Sequence, residues 1–445
     1  MLVLLAALVM LVLVLVHLDG LNGPAYWKWA WREPPLPAVR VYLPLLLSAV
    51  PLLAVQRLDR RRAFARWMAI LALMLSCFAM KLFVTSLRTS PPSFRFVETV
   101  VQQPDMSSYY TDAVSIRALA LRDWVGRYPA LMEGFNLHTK SKPPGAVAYW
   151  WTMIRLFGES AAPRVGGILL GILAVLAIPA TYALLRLMLA DEPAAFCAAS
   201  FMALCPGFVL FFPMLDPAYV LLSCAMIGTW FLALRDGRPL PALLLGLVLT
   251  IALFVSFSLL VLGAFLIAMI VLTPASRPMK DRARVAARQA AIVAGASIVG
   301  GLILWLGIGY NPFATFISAW HHQHELLARF ADQRPYPATI WFDLADFALG
   351  SGWISALLVI VYLVSVPQNR PHVWLVGAAV GQLILVAVAG LLQSETSRVW
   401  SFMLPLLMIP VGLEMARWTV AWRIACLGML ALLTAAIHQN MSFLY

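Results

Sequence analysis

The chain has 445 residues, 62% hydrophobic and 12% charged, with a net charge of +12, and soluble domains carry roughly twice that charged fraction. A mean hydropathy of +0.86 therefore excludes an ordinary soluble globule. The absence of polar–apolar alternation in runs of roughly ten excludes a transmembrane barrel. The positive charge lies in loops beside apolar runs, so it reads as membrane orientation and not as a nucleic-acid surface.

Apolar runs of about 20 residues cross a bilayer as helices, and the chain reads as an all-α polytopic membrane protein with about thirteen transmembrane helices. In order these cover roughly 2–18, 41–55, 66–86, 164–187, 194–212, 217–234, 239–254, 257–274, 287–309, 350–366, 373–391, 399–415 and 422–438. The first run lacks a basic leader and a small-residue cleavage site, so it is expected to be a retained span. All cysteines (Cys77, Cys197, Cys205, Cys224, Cys426) lie in apolar runs, which leaves no disulfide framework and no CxxC metal site.

Two basic loops set the orientation: Arg57, Arg60, Arg61, Arg62 and Arg66 in one, Arg277, Lys280, Arg282, Arg284 and Arg288 in the other. A cytoplasmic N-terminus puts both inside, along with 235–238, 369–372 and the Arg417–Arg423 stretch. Segments 19–40, 88–163 and 310–349 then face outside as loops. The first, with GPAYWKWAWREPP, reads as an interfacial aromatic anchor, and its Asp19 as a helix-terminal carboxylate or a catalytic one. In 88–163, MSSYYTDAVSIRALALRDWVGRY is expected to form one helix along the outer leaflet. AVAYWWTMIRLFG (146–158) is too short to cross and is expected to form a second, with Tyr149, Trp150 and Trp151 at the interface.

The spans read as nearly free of charge, unlike those of ion-coupled transporters. Asp112, His138, Lys142, Asp216, the His321-His322-Gln323-His324 run, Glu395 and Arg398 all fall at the outer ends. A one-sided polar cap over an apolar bundle suits an enzyme acting at the membrane surface on a lipid-attached substrate. Competing readings are plainer: Asp216 before Pro217 as a helix cap, Glu395–Arg398 as a surface ion pair, and the histidines as solvated side chains. His322 and Glu325 share a helical face, so a divalent metal is a candidate there; no cofactor is otherwise indicated and no metal ligand is assigned.

The order of these features resembles the GT-C glycosyltransferases, in particular the protein-mannosyltransferase and aminoarabinose-transferase branch. The resemblance rests on TDAVSIRALALRDWVGRYPALMEGFNLHTKSKPPGAVAYWWTMIRLFG, PRVGGILLGILAVLAIPATYALLRLML, EPAAFCAASFMALCPGFVLFFPMLDPAYVLL and SETSRVWSFMLPLL, in that order. It implies a catalytic core in 66–415, followed by a C-terminal span in 416–445 and preceded by two spans in 1–65 that depart from the family pattern. It further implies an inverting transfer from a polyprenyl-phosphate-linked sugar to a lipid, glycan or protein acceptor. The active face would lie outside a bacterial inner or plasma membrane, among membrane lipids. By resemblance Asp112 is the catalytic base, Lys142 and Arg398 contact the donor phosphate, and Asp216 is a conformational or acceptor-side residue; His138, close to Lys142 in sequence, is expected to assist at the phosphate. Tyr110, Glu395, His321 and His322 are expected around these groups. The sequence departs from the family in Ala113, where a Glu is usual, and in lacking a mid-span Lys within ALFVSFSLLVLG. Two other classes remain open: a polyprenyl-linked lipid or sugar transporter or non-catalytic lipid-phosphate binder, and an O-antigen-ligase-like enzyme using a lipid pyrophosphate.

Overall fold

The computed structural model describes the chain except residues 22, 24–28, 35, 61, 90, 105, 107–108, 274–277, 366–371 and 443–445. Among the described residues every regular element is helical, apart from one isolated β-bridge between Trp31 and Met441. Helices satisfy their own backbone groups, which an apolar solvent demands. Among the described residues six helical stretches are long and apolar enough to cross a membrane: Ala38–Arg57, Ala63–Ser86, Gly145–Leu189, Asp216–Asp236, Lys280–Ile308 and Val420–Asn440. The helices Ala338–Gly350 and Ile354–Ser365, bent by 105°, are a seventh if counted as one broken span. Five further apolar helices are shorter than a full crossing, such as Leu2–Leu15 and Val373–Ala389.

The chain divides into two compact units. The first comprises Met1–Val97, Leu169–Leu221 and Tyr336–Tyr445. In it, the helix Ala38–Ala54 packs against both Ala63–Ser86 and Val420–Asn440. The helix Glu192–Met202, capped by Asp191 accepting from the Ala194 N–H at 2.9 Å, packs against Leu404–Ala416 and Ala177–Leu189. That approach is close because Gly412 has no side chain: a Cβ there would lie 2.9 Å from Ala198 Cβ. The run expected as a span over 194–212 is interrupted. The helix stops at Met202, and Pro206 opens a separate single turn, Pro206–Val209. Arg60 pairs with Glu192 at 2.9 Å and stacks over Phe196 at 3.8 Å. Arg423 donates to the carbonyls of Met415 at 3.0 Å and Ala416 at 2.6 Å. Of the other basic-loop residues read from the sequence, Arg61, Arg277 and 369–371 lie outside the described residues.

The second unit comprises Glu98–Ile168 and Leu222–Pro335. Gly158 breaks the helical stretch Gly145–Val175 with φ 76° and ψ 161°, a conformation essentially restricted to glycine. The chain turns back there: the Tyr149 hydroxyl donates to the Gly166 carbonyl at 2.6 Å, and Trp150 packs on the bare Cα of Gly166. A single uninterrupted crossing by Gly145–Leu189 is thus ruled out by geometry. The break falls where the sequence ended its second surface helix. Trp150, however, is buried and meets Tyr110 edge-on at 5.7 Å, so it is a packing residue, not an interfacial one. The single helix expected across 106–128 is instead three short ones, Tyr109–Ser115, Leu121–Gly126 and Tyr128–Leu131.

Two further expectations change. The basic stretch after Arg277 is not a loop but the opening turns of the helix Met279–Ile308, which packs against Pro239–Val255. Segment 310–349 is not an open loop either. It forms the helix Pro312–Arg329, capped by Asn311 accepting from the Ala314 N–H at 3.0 Å, and the helix Ala338–Gly350.

Candidate functional site

In the second unit, Asp112 sits on the short helix Tyr109–Ser115 and is buried. Both of its carboxylate oxygens accept from the Asn136 backbone N–H at 3.2 Å, and Oδ1 also accepts from Asn136 Nδ2 at 2.8 Å. Asn136 Nδ2 donates to Thr111 Oγ1 at 3.0 Å as well, which orients the amide. Burial pushes the Asp112 carboxyl above its ordinary range; Thr139, Asn136 and the Lys140 charge oppose this by favouring the anion. A buried, oriented carboxylate of raised basicity is what a general base needs.

The HTKSKPP stretch follows closely in sequence on Asn136, which holds this carboxylate, and is tied into the same unit. The Lys142 N–H donates to the Thr139 carbonyl at 3.0 Å, and the Lys142 carbonyl accepts from the Tyr128 hydroxyl at 3.2 Å. Pro143 and Pro144 are buried, while His138, Lys140 and Lys142 are half-buried. Gly145 lets the stretch press against a neighbouring backbone, since a Cβ there would lie 2.6 Å from the Phe254 carbonyl oxygen. Two backbone anchors and two buried prolines thus fix the segment that carries Lys142. Tyr110 turns its hydroxyl to the Glu159 carbonyl at 2.7 Å. It also lines an open cavity of about 450 Å³ with Thr111, Glu159 and Ser160.

His321 and His322 lie on the helix Pro312–Arg329 and bracket one carboxylate. His321 Nε2 is 3.1 Å and His322 Nδ1 3.3 Å from the Glu325 oxygens. Among the described residues no three His, Cys, Asp or Glu side chains gather closely enough to hold a metal; the run is two histidines on one glutamate.

The first unit holds Arg398, Glu395 and Asp216. Arg398 pairs with Glu395 through Nη2, approaches Asp216 Oδ2 at 3.9 Å through Nε, and points Nη1 at Met214 Sδ at 3.3 Å. Its side chain is 12% exposed and that of Glu395 22%, so this is a part-buried cluster and not a surface pair. Asp216 opens a 3₁₀ turn, Asp216–Ala218, and its carbonyl accepts from Ser401 Oγ at 2.8 Å.

The groups that shape this loop were missed from sequence. Ser394 (φ 69°) and Glu395 (φ 53°) are consecutive left-handed residues, a costly backbone unless its surroundings fix it. Two buried aspartates one turn apart on the helix Ala338–Gly350 supply the fixing. Asp343 Oδ1 accepts from the Ser394 N–H at 2.8 Å, and the Asp343 carbonyl from Thr396 Oγ1 at 2.6 Å. Asp346 accepts from Ser397 N–H at 3.2 Å, Ser397 Oγ at 2.6 Å, Thr396 Oγ1 at 3.1 Å and Trp29 Nε1 at 2.5 Å. Trp29 is therefore a buried donor in this network and not an interfacial anchor; most of the aromatic run before it lies outside the described residues. Asp19, the other carboxylate of that segment, is exposed.

The spans read as nearly free of charge, yet two of the apolar helices bury a charged side chain. Lys81, in the span-length helix Ala63–Ser86, is fully buried, donates to the Phe208 carbonyl and sits 4.5 Å from the Phe208 ring centre. Glu414 is buried in Leu404–Ala416 and bonded to Arg417 at 2.7 Å and Trp418 at 2.9 Å.

No protein-family model matches the chain, and no curated protein matches it in sequence.

Proposed function

We propose that this protein is an integral membrane glycosyltransferase of GT-C type. In this reading it moves a sugar from a polyprenyl-phosphate donor to a hydroxyl acceptor on the extracytoplasmic face of a bacterial membrane, with inversion. The observation that carries it is Asp112: a buried carboxylate held by both donors of Asn136, with its basicity raised by burial. Asp112 takes the acceptor hydroxyl's proton as the new bond to the anomeric carbon forms. The bond to the lipid phosphate breaks, and the electron pair leaves with the phosphate. Fixed cations stabilise that charge. Lys142, on its anchored segment, has this role with His138 assisting, and Arg398 is assigned a phosphate contact by the family resemblance. The same reading places the N-terminus inside, about thirteen spans across the bilayer and the short helices of 109–131 at its outer surface.

The test is transfer from a synthetic polyprenyl-phosphate sugar by purified protein. Asp112→Asn keeps one oxygen to accept from Asn136 but removes the base, so transfer falls by about 10²–10⁴-fold, the usual worth of a general base. Wild-type turnover by that variant sinks the assignment. Unchanged donor dependence in Lys142→Ala or Arg398→Ala removes the corresponding cation from the reaction.

A second reading, a carrier of sugar-linked lipid, is favoured by Lys81, because buried intramembrane charge often marks a transport path. Donor translocation across proteoliposomes without any transfer would select it. A pyrophosphate donor used in preference to a monophosphate would instead select the ligase-like class.

A further inference from the structure

We infer that the helix Pro312–Arg329 of the second unit lies in the plane of the membrane surface as a tilted anchor, its first half set into lipid and its second half among the headgroups. The partner is the bilayer itself. Nothing in this requires the transferase: a carrier built on the same chain would carry the same anchor. The helix has the length of a span, 18 residues, but it is not one of the six stretches apolar enough to cross. Its second half holds the His321-His322-Gln323-His324-Glu325 run. Its first half is different. Phe313, Phe316, Ile317 and Trp320 recur at the three- and four-residue spacing that lines up one helical face, and all four are exposed. Phe313 is 80% exposed and Ile317 68%, so the rest of the chain leaves this face bare.

The opposite face is already occupied. It buries Thr315 and Ala319 and packs on Tyr128–Leu131 and Leu137–Lys140, with Ser318 Oγ donating to the Pro129 carbonyl at 3.4 Å. One protein-facing side, one bare apolar side and too little apolarity to cross define an interfacial helix, whose apolar face sinks ~5–10 Å into the headgroup–acyl boundary. What covers the bare face follows from what precedes it. The span-length helix Met279–Ile308 ends three residues earlier, and its last turns expose Ile303, Trp305 and Leu306. Gly309, with φ 78°, turns the chain between the two helices, so the anchor starts where a lipid-facing surface has just ended. The tilt follows from where the stripe stops. His324 takes the next place along it, four residues after Trp320, and packs against the Trp320 ring at 4.2 Å. A tryptophan and an imidazole belong at headgroup level, whereas Phe313 and Ile317 have no polar atom to keep wet. Because Tyr128–Leu131 and Leu137–Lys140 flank Asn136, the anchor also sets the height of the Asp112 holder relative to the lipid.

Depth in the bilayer is the test. The full-length chain, in bilayer discs of palmitoyl-oleoyl phosphatidylcholine, is spin-labelled at Phe313→Cys, Ile317→Cys or His324→Cys. All three side chains are exposed, so the replacements keep the fold, and the native cysteines are buried, so the label goes to the introduced thiol. Collisions with oxygen, which concentrates among acyl chains, are compared with collisions with a water-soluble nickel chelate. Oxygen is expected to exceed the chelate by at least about threefold at Phe313→Cys, as for a face set below the headgroups. The excess should shrink at Ile317→Cys and reverse at His324→Cys. Chelate in excess at 313 and 317 puts the face in water and overturns the inference. Few collisions with either reagent put it against a second copy or another protein, which overturns it equally. The same ratio at all three positions removes the tilt. Depth is read without donor or turnover, so an inactive transferase leaves the anchor standing, and a misplaced helix leaves the Asp112→Asn result untouched.

Discussion

Asp346→Ala is the substitution whose consequence follows most directly from the geometry. It removes a buried carboxylate that four donors share: Trp29 Nε1, Ser397 N–H, Ser397 Oγ and Thr396 Oγ1. The two hydroxyls keep other acceptors, the carbonyls of Asp346 and Asp343. The Ser397 N–H and Trp29 Nε1 lose theirs to the carboxylate, at about 1–3 kcal/mol each. Removing a buried charge returns part of that through relieved desolvation, leaving a net loss of about 2–4 kcal/mol. The loss is local before it is global, because it removes one of the two aspartates that brace the left-handed Ser394–Glu395 backbone, leaving Asp343 on the Ser394 N–H. Hydrogen–deuterium exchange on purified full-length protein is expected to show faster exchange across 394–398, together with a lower melting midpoint. Exchange there at the wild-type rate, with an unchanged midpoint, would refute the claim that Asp346 fixes the loop.

Asn136→Ala removes a 2.8 Å bond that favours the Asp112 anion, so the carboxyl rises further. If the deprotonated form is the base, the acid limb of the pH–rate profile moves to higher pH. Below that limb the rate falls by about one to two orders of magnitude for a lost bond of about 1.5–3 kcal/mol; a limb that stays put or moves down contradicts this. Gly158→Ala meets no atom within 4 Å, so its cost is purely backbone, about 1–3 kcal/mol by denaturant melting, and a neutral result would mean the turn is not held. Gly350→Ala places a Cβ 2.6 Å from Ser397 Cβ; it is expected to lower the melting midpoint and reproduce the faster 394–398 exchange of Asp346→Ala.

Much of the helical frame was legible because apolar length is a strong signal. The helices Ala63–Ser86 and Val420–Asn440 end within a few residues of where the runs of hydrophobic residues do. The turn at Gly158 was legible for the same reason, as the place where an aromatic run stops short of crossing. Asp112 stood out as a carboxylate in a polar segment between apolar runs. Its holder did not, since one asparagine among many polar residues carries no periodic mark. Asp343 and Asp346 were hidden in a segment read as loop, and a loop reading gives no reason to ask which faces two carboxylates share. Lys81 was lost in the average: one lysine barely moves the hydropathy of 24 residues. The three short helices of 109–131 follow from tertiary packing around Trp124 and Tyr128, both buried, which local pattern does not report.

The buried contact between Lys81 and the Phe208 carbonyl bears on how the protein is made. Its two ends are 127 residues apart in the chain, so the helix Ala63–Ser86 leaves the ribosome well before its acceptor exists. A lysine at the centre of a membrane helix costs about 2.5–3.5 kcal/mol to insert, and less toward the end. Until the Pro206–Val209 turn arrives, that helix must seat itself by its apolar residues alone or wait in the insertion machinery. Chains arrested before residue 208 should therefore hold this segment less firmly in the membrane than chains arrested beyond it. The order of synthesis thus becomes part of how the first unit assembles.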